Sequence, residues 1–305
     1  MWMLLIMALP LAGIAYVSWH LWVLLPLSGL WRAVIIGLLI ACFLLLFLDL
    51  GGHLDRMPLP LARIFYQIGT STVIVLMYLV MTFLVLDLGR LIGLVPRSWL
   101  TANWVTVAAI TGMMLTIFVC GNLHYYNKVR VPINISTSKS LPKDYRIVML
   151  SDLHLGYHNT RHDLSRWVDM INREKPDFIL IAGDIIDISI RPLEEERMAE
   201  EFRRLNAPIY ACLGNHEYYS GSPRAQQFYR DAGIHLLRDS LAEFDSTLVI
   251  IGRDDRTNRR RLSIGDRVNQ ADTTKYIIVL DHQPYALERA ETAGVDFQLS
   301  GHTHL

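Results

Sequence analysis

Cysteine is scarce, with three in 305 residues, of which Cys42 and Cys120 fall inside apolar runs and Cys212 inside a run that reads as a core strand. That excludes a disulfide framework and a thiolate zinc site, and leaves each cysteine as a small buried hydrophobe. A charge excess is also missing. Lys+Arg and Asp+Glu balance at 29 each, so no global field draws an acidic partner, and no nucleic-acid partner is expected. Internal repeats and low-complexity segments are absent. Charge itself is nearly missing from residues 1 to about 120, whereas residues 121–305 carry most of the Lys, Arg, Asp and Glu. The chain is 52% hydrophobic, above the roughly 45–50% of globular domains, and the excess sits in that first stretch.

A membrane crossing takes about 20 mostly apolar residues. The first stretch offers four candidate runs: Met1–Trp19, Ala33–Leu48, Ile68–Leu86 and Thr101–Cys120. The second is slightly short, and Pro26 with Ser28-Gly29 suggests a turn before it. No Lys or Arg precedes the first run and no small-residue cleavage site follows it, which favours a retained span over a removable signal peptide. Trp19, Trp22, Trp31, Trp99 and Trp104 stand near run ends, where aromatic rings meet lipid headgroups. The expectation is a multi-pass α-helical membrane region of about four helices over 1–122, set in the lipid bilayer of the cell membrane. Arg56, Arg63, Lys128 and Arg130 on one side, against Arg32, Arg90 and Arg97 on the other, place the polar half on the cytoplasmic side.

Residues 123–143 lose periodicity and read as a linker, with Pro132, Ser136-Thr-Ser-Lys-Ser140 and Pro142; the alternating stretch 129–135 suggests an edge strand. Strands are predicted at 145–151, 178–182, 209–213, 247–252, 276–280 and 296–299. Helices are predicted at 160–174, about 192–205, 222–232 and 284–292. The alternation over 144–305 predicts a layered α/β domain with a buried β-sheet core flanked by helices.

Five polar clusters punctuate this half: Asp152-Leu-His154, Gly183-Asp184-Ile-Ile-Asp187, Gly214-Asn215-His216-Glu217, Asp281-His282-Gln-Pro284 and Gly301-His302-Thr-His304. Asp152, Asp184, Asn215, His282 and His302 each follow the C-terminal end of a predicted strand, where open α/β sheets assemble their sites. Asp152, His154, Asp184, Asn215, His282, His302 and His304 make a donor set of imidazole, carboxylate and one amide oxygen, suited to Mn, Fe, Zn or Mg. Seven donors are too many for one ion with open positions and suit two divalent ions sharing a carboxylate. Such a pair clamps the attacking and leaving oxygens of a displacement at phosphorus and supplies hydroxide near neutrality. Phosphoester hydrolysis is the chemistry expected.

In these clusters and their order the chain resembles the calcineurin-like metallophosphoesterase superfamily, in its branch of membrane-attached bacterial phosphoesterases, over about residues 140–305. The resemblance implies that Asp152, His154 and His304 hold one metal, that Asn215, His282 and His302 hold the second, and that Asp184 bridges them. It implies a catalytic role for His216, contacting the phosphate and protonating the leaving oxygen, with Asp187 orienting the loop. Asp187-Ile-Ser-Ile lacks the early Arg of the family's protein phosphatases, and Arg191 comes only afterwards. A phosphomonoester or phosphodiester is the expected substrate, and the membrane region favours a lipid-linked one such as UDP-diacylglucosamine. Related chains continue past Gly-His-x-His through a Gly-Gln segment and further strands, so a C-terminal part of the domain is expected beyond Leu305.

Other readings stay open. A metal-binding interaction module without turnover would keep the same donors, and the spans could instead transport or sense under control of the polar half. His158, His162 and His235 lie outside the motifs and read as structural. Glu217 fits either a helix cap or support of the site. The run Arg253-Asp-Asp-Arg256 with Arg259-Arg-Arg261 reads either as a solvated loop or as a site for substrate phosphates or anionic headgroups.

Overall fold

The computed structural model describes residues 2–50 and 52–304. The first residue of the first apolar run and the chain end at Leu305 lie outside them. The chain divides into a helical unit extending to Asn134 and a second unit beginning at Ile135.

In the helical unit, α1 (Trp2–Leu24), α2 (Gly29–Leu44), the short α3 (Phe47–Leu50), α4 (Leu59–Leu91) and α5 (Trp104–Tyr126) follow one another. Two of them, α4 with 33 residues and α5 with 23, are long and apolar enough to cross a membrane. Leu9–Leu24 and Gly29–Leu44 are shorter apolar helical stretches. Pro60 enters the first turn of α4, where its missing N–H costs nothing. Asn103 caps α5, its Oδ1 accepting from the N–H groups of Val105 at 2.9 Å and Thr106 at 3.1 Å. Hydroxyls inside α4 satisfy themselves on the preceding turn: Thr72 donates to Ile68 O and Thr82 to Tyr78 O, each at 2.7 Å. Where α1 packs on α4, Tyr16 Oη donates to Asp87 Oδ2 at 2.7 Å, and His20 Nε2 lies 3.0 Å from the same oxygen. His20 also stacks on Phe83.

The second unit runs β1 (Ile147–Leu150), α6 (Arg161–Glu174), β2 (Phe178–Ala182), α7 (Arg191–Glu195), α8 (Met198–Phe202), β3 (Ile209–Cys212), α9 (Asn215–Tyr219), α10 (Ser222–Asp231) and β4 (Ile234–Leu236). It continues through β5 (Ser240–Phe244), β6 (Leu248–Gly252), α11 (Ile264–Val268), β7 (Tyr276–Leu280), α12 (Leu287–Thr292) and β8 (Phe297–Leu299). Two four-stranded sheets result, ordered β1-β2-β3-β4 and β5-β6-β7-β8, and every pairing is parallel except β5 with β6.

Strand periodicity explains the layering, since successive side chains point to opposite faces. Phe178, Leu180, Tyr210 and Cys212 of the first sheet pack with Leu248, Ile250, Ile278 and Leu280 of the second, so the sheets face each other. The alternate residues Ile179, Ile181, Ile209 and Ala211 turn to a layer with Leu164, Val168, Phe202 and Phe228 from helices. Val249, Ile251, Ile277 and Val279 meet Ile264, Val268 and Ala290 on the other side. Burial on both faces accounts for the unbroken apolar strands Phe-Ile-Leu-Ile-Ala, Leu-Val-Ile-Ile-Gly and Tyr-Ile-Ile-Val-Leu.

Three expectations are corrected. Residues 129–135 form no strand, because nothing pairs with them among the described residues. The helix expected over about 192–205 is broken into α7 and α8 at Arg197, whose φ of 52° ends one helix and starts the next. Strands β4 and β5 and helices α9 and α11 are additional.

Candidate metal centre

Five strand ends deliver the polar clusters to one edge. Asp152 follows β1, Asp184 follows β2, Asn215 opens α9 after β3, His282 follows β7 and His302 follows β8. Two glycines make the approach possible. A Cβ on Gly214 would stand 2.1 Å from Asp184 Oδ1, and one on Gly301 would stand 2.3 Å from Asp152 Oδ2. Any side chain there would push a candidate ligand out of place.

The donors converge around Asp184. His282 Nε2 lies 3.0 Å from Asp184 Oδ2 and 3.1 Å from Asn215 Oδ1. His154 Nε2 lies 3.8 Å from Asp184 Oδ2 and 3.3 Å from His304 Nε2, which is itself 3.5 Å from Asp152 Oδ1. Three groups of potential ligands overlap: Asp152–His154–His304, His154–Asp184–His216 and Asp184–His282–His302, each with its ligand atoms within 4.8 Å of one another. His216 thus stands among the donors, whereas His235 stacks on Tyr210, away from the site.

Whether these residues fit a cation can be judged at His282. Its Nδ1 lies 2.7 Å from the carbonyl of Ala182, an acceptor only, so Nδ1 carries a proton. Nε2 then faces two oxygens with a lone pair unless it is protonated or meets a cation. A backbone carbonyl fixing the far nitrogen of a histidine is the arrangement that orients a metal ligand. In the metal-free protein the proton takes that place: burial works against the charged ring, but Asp184 outweighs it and holds His282 up at about 9. Burial alone would raise the Asp184 carboxyl, yet the hydrogen bond and charge of His282 and the His216 N–H bring it below its usual value.

The backbone supports the same reading. Asp152, His154, Asp184, His302 and His304 all adopt positive φ, between 42° and 70°. Left-handed conformations cost a non-glycine residue roughly 1–2 kcal/mol, and strain of this kind gathers at functional sites. The donor set, the fixed tautomer and the strained ligand positions fit divalent metal.

Surrounding groups hold the arrangement. Asp187 Oδ1 lies 3.2 Å from His216 Nδ1 and 3.6 Å from His154 Nδ1. Burial disfavours a charged His216, but Asp187 and Asp184 prevail and raise its pKa. Glu217 resolves as a support: fully buried, it accepts from the N–H groups of Gly214 at 2.7 Å, Ile186 at 3.0 Å and Asp184 at 3.1 Å. Burial and the charge of Asp184 push the Glu217 carboxyl up. The sequence places Asp281 in a polar cluster without giving it a role; it is completely buried and gripped by Arg253 at 2.5 Å and Arg261 at 2.9 Å. Sequence reasoning missed the buried Asp254, which takes hydrogen bonds from Tyr218 at 2.6 Å and Arg238 at 2.7 Å. These pairings join segments far apart in the chain, and only the position of Asp281 beside His282 hinted at them.

A layered α/β unit with imidazoles and carboxylates gathered at its strand ends defines the class of metal-dependent phosphoester hydrolases. The calcineurin-like phosphoesterase family model matches residues 145–305, and the chain belongs to that family. It is 39% identical over 183 residues to an uncharacterized metallophosphoesterase of Aquifex aeolicus, covering 56% of this chain and 67% of that one. A protein of Danio rerio, described as a transmembrane protein with metallophosphoesterase domain, is 29% identical over 244 residues, covering 71% of this chain and 55% of its own length. That match is too long to lie within residues 145–305 and so reaches into the helical region. An uncharacterized metallophosphoesterase of Campylobacter jejuni is 32% identical over 171 residues, of which this chain covers 45% of the relative's length. The chain therefore spans about half to two thirds of these relatives.

Proposed function

We propose that residues 144–305 hydrolyse a phosphomonoester or phosphodiester with two divalent ions, and that a multi-pass membrane region over 1–122 and a linker over 123–143 hold this domain at the cytoplasmic face of the cell membrane. The observation that carries the reading is the convergence on Asp184, with Asn215 and His282 on one side and His154 on the other. Asp152, His154 and His304 would hold one ion, Asn215, His282 and His302 the second, and Asp184 would touch both. When bound, such ions supply Lewis acidity toward phosphoryl oxygens and activate water. The membrane reading is supported by the two long apolar helices and by the transmembrane relative whose match extends into that region.

The chain's own residues supply positioning and a proton. Asp187 Oδ1 faces His216 Nδ1 at 3.2 Å, which leaves Nε2 to carry a proton to the departing oxygen, and the upward shift of the ring's pKa favours that role. Glu217 fixes the backbone of the Asp184 and Asn215 loops. The membrane region favours an amphiphilic, lipid-linked phosphoester.

The test is hydrolysis of p-nitrophenyl phosphate and bis-p-nitrophenyl phosphate by the full chain in detergent with Mn, Zn or Mg. Asp184→Asn is expected to abolish metal-dependent turnover, and His216→Ala to slow it by about 10²–10⁴. Turnover that survives chelation or ignores both substitutions would overturn the reading.

A further inference from the structure

After Ile135, the exposed large hydrophobic residues of the described chain are Tyr219, Leu262, Tyr285 and Leu287. Leu262 and Tyr285 line an open cavity of about 760 Å³ together with Arg253, Arg256, Arg261 and Arg289. Leu287 begins α12, two residues beyond Tyr285. A concavity combining four guanidinium groups with an apolar rim is not what solvation of a surface loop requires.

Charge in the cavity is poorly balanced. Asp281 answers both Arg253 and Arg261. The other nearby carboxylates are engaged: Asp254 with Arg238, Tyr218 and Asn258, Asp255 with Thr257 and Gln283, and Asp266 with Ser263. Among the described residues no carboxylate lies within ion-pairing distance of Arg256 or Arg289. The Arg256 guanidinium instead covers the Tyr285 ring at 3.7 Å. Arg253 keeps one donor in reserve, since its Nε is buried without a hydrogen-bond partner while Nη1 binds Asp281 and Nη2 binds Leu262 O. Planar guanidinium forks match phosphate oxygens.

We propose that this cavity binds a phosphate-class anion attached to an apolar body, a second anionic group of the substrate separate from the phosphoester under attack. The link to a substrate rests on the hydrolase reading; the anion binding does not. One loop serves both places: Asp281, held by the two arginines, directly precedes His282, and Tyr285 follows three residues later. The arginines would take the phosphate oxygens while Leu262, Tyr285 and Leu287 cover the apolar portion.

Equilibrium binding to the full chain in nonionic detergent, after chelation and dialysis, separates this site from the metal centre. The probes are inorganic pyrophosphate and dihexanoyl phosphatidic acid. Both are expected to bind the metal-free protein, the lipid about tenfold or more tightly, which would identify a lipid headgroup as the source of the anion. The double variant Arg256→Gln/Arg289→Gln is expected to weaken both about tenfold or more, the effect of losing one charged hydrogen bond. Leu262→Ser/Leu287→Ser should erase only the preference for lipid. Thermal unfolding confirms that the variants fold, which their exposed positions permit. Absence of saturable binding, or an arginine variant equal to wild type, would overturn the site; equal affinity for the two probes would overturn the apolar body. Because no turnover is measured, failure of the hydrolysis assay would leave these outcomes readable.

Discussion

In the helical unit Leu9, Trp31, Ile74, Val85 and Leu91 turn between 43% and 82% of their surface outward, while every residue of β2 is fully buried. The helices thus spend apolar side chains on their surroundings, and the sheets spend them on each other. In water the first arrangement would be costly, at about 25 cal/mol per Å² of apolar surface; against hydrocarbon it costs little. Polar groups differ in the same way. Thr72, Thr82 and Asp87 find partners within or between the helices, as they would have to in a low-dielectric setting. The α/β unit gathers buried Asp184, Asn215, Glu217, Asp281 and His282 at one sheet edge, where they can do chemistry.

That difference can be broken by mutation. Ile250→Ala, in the layer between the sheets, is expected to destabilise the α/β unit by about 2–5 kcal/mol, measured by denaturant unfolding. Ile74→Asp, on an outward position of α4, is expected to cost about 2.5–3.5 kcal/mol of membrane insertion, measured as the fraction of chain integrated. Gln270→Asp on the α/β surface should stay within about 0.5 kcal/mol. Equal, small effects of the two aspartates would remove the distinction between the units.

A further contrast concerns the proton on His282. Because its folded pKa of about 9 lies above the ordinary 6.5, protonation stabilises the metal-free fold fully below pH 6.5, and this contribution disappears as pH rises through about 9. Metal uptake near pH 7.5 should displace that proton, with release fading above pH 9. Calorimetry in buffers of different ionisation enthalpy measures it; release independent of pH across this range would contradict the site geometry.

Most of the architecture is legible in the sequence because strands buried on both faces are unbroken apolar runs bounded by polar turns. β4 and β5 escape, since Ile-His-Leu and Ser-Leu-Ala-Glu-Phe are short and half polar. The break at Arg197 escapes as well, with no glycine or proline to mark it. Conversely, 129–135 alternates like a strand, but a strand needs a partner, which sequence period cannot supply. At the site, the candidate donors stand out by spacing after strand ends. Their supports do not: Glu217 acts on residues more than 30 positions away, and Asp281 meets arginines 28 and 20 positions away.

The left-handed backbone at Asp152, His154, Asp184, His302 and His304 also bears on how such a chain could age. Glycine and asparagine adopt this conformation at the least cost. A lineage that no longer needed the ions would gain stability by replacing these five residues with either, and the fold would persist as an inert shell. Aspartate and histidine at all five positions therefore carry a backbone cost that a role in holding ions would offset.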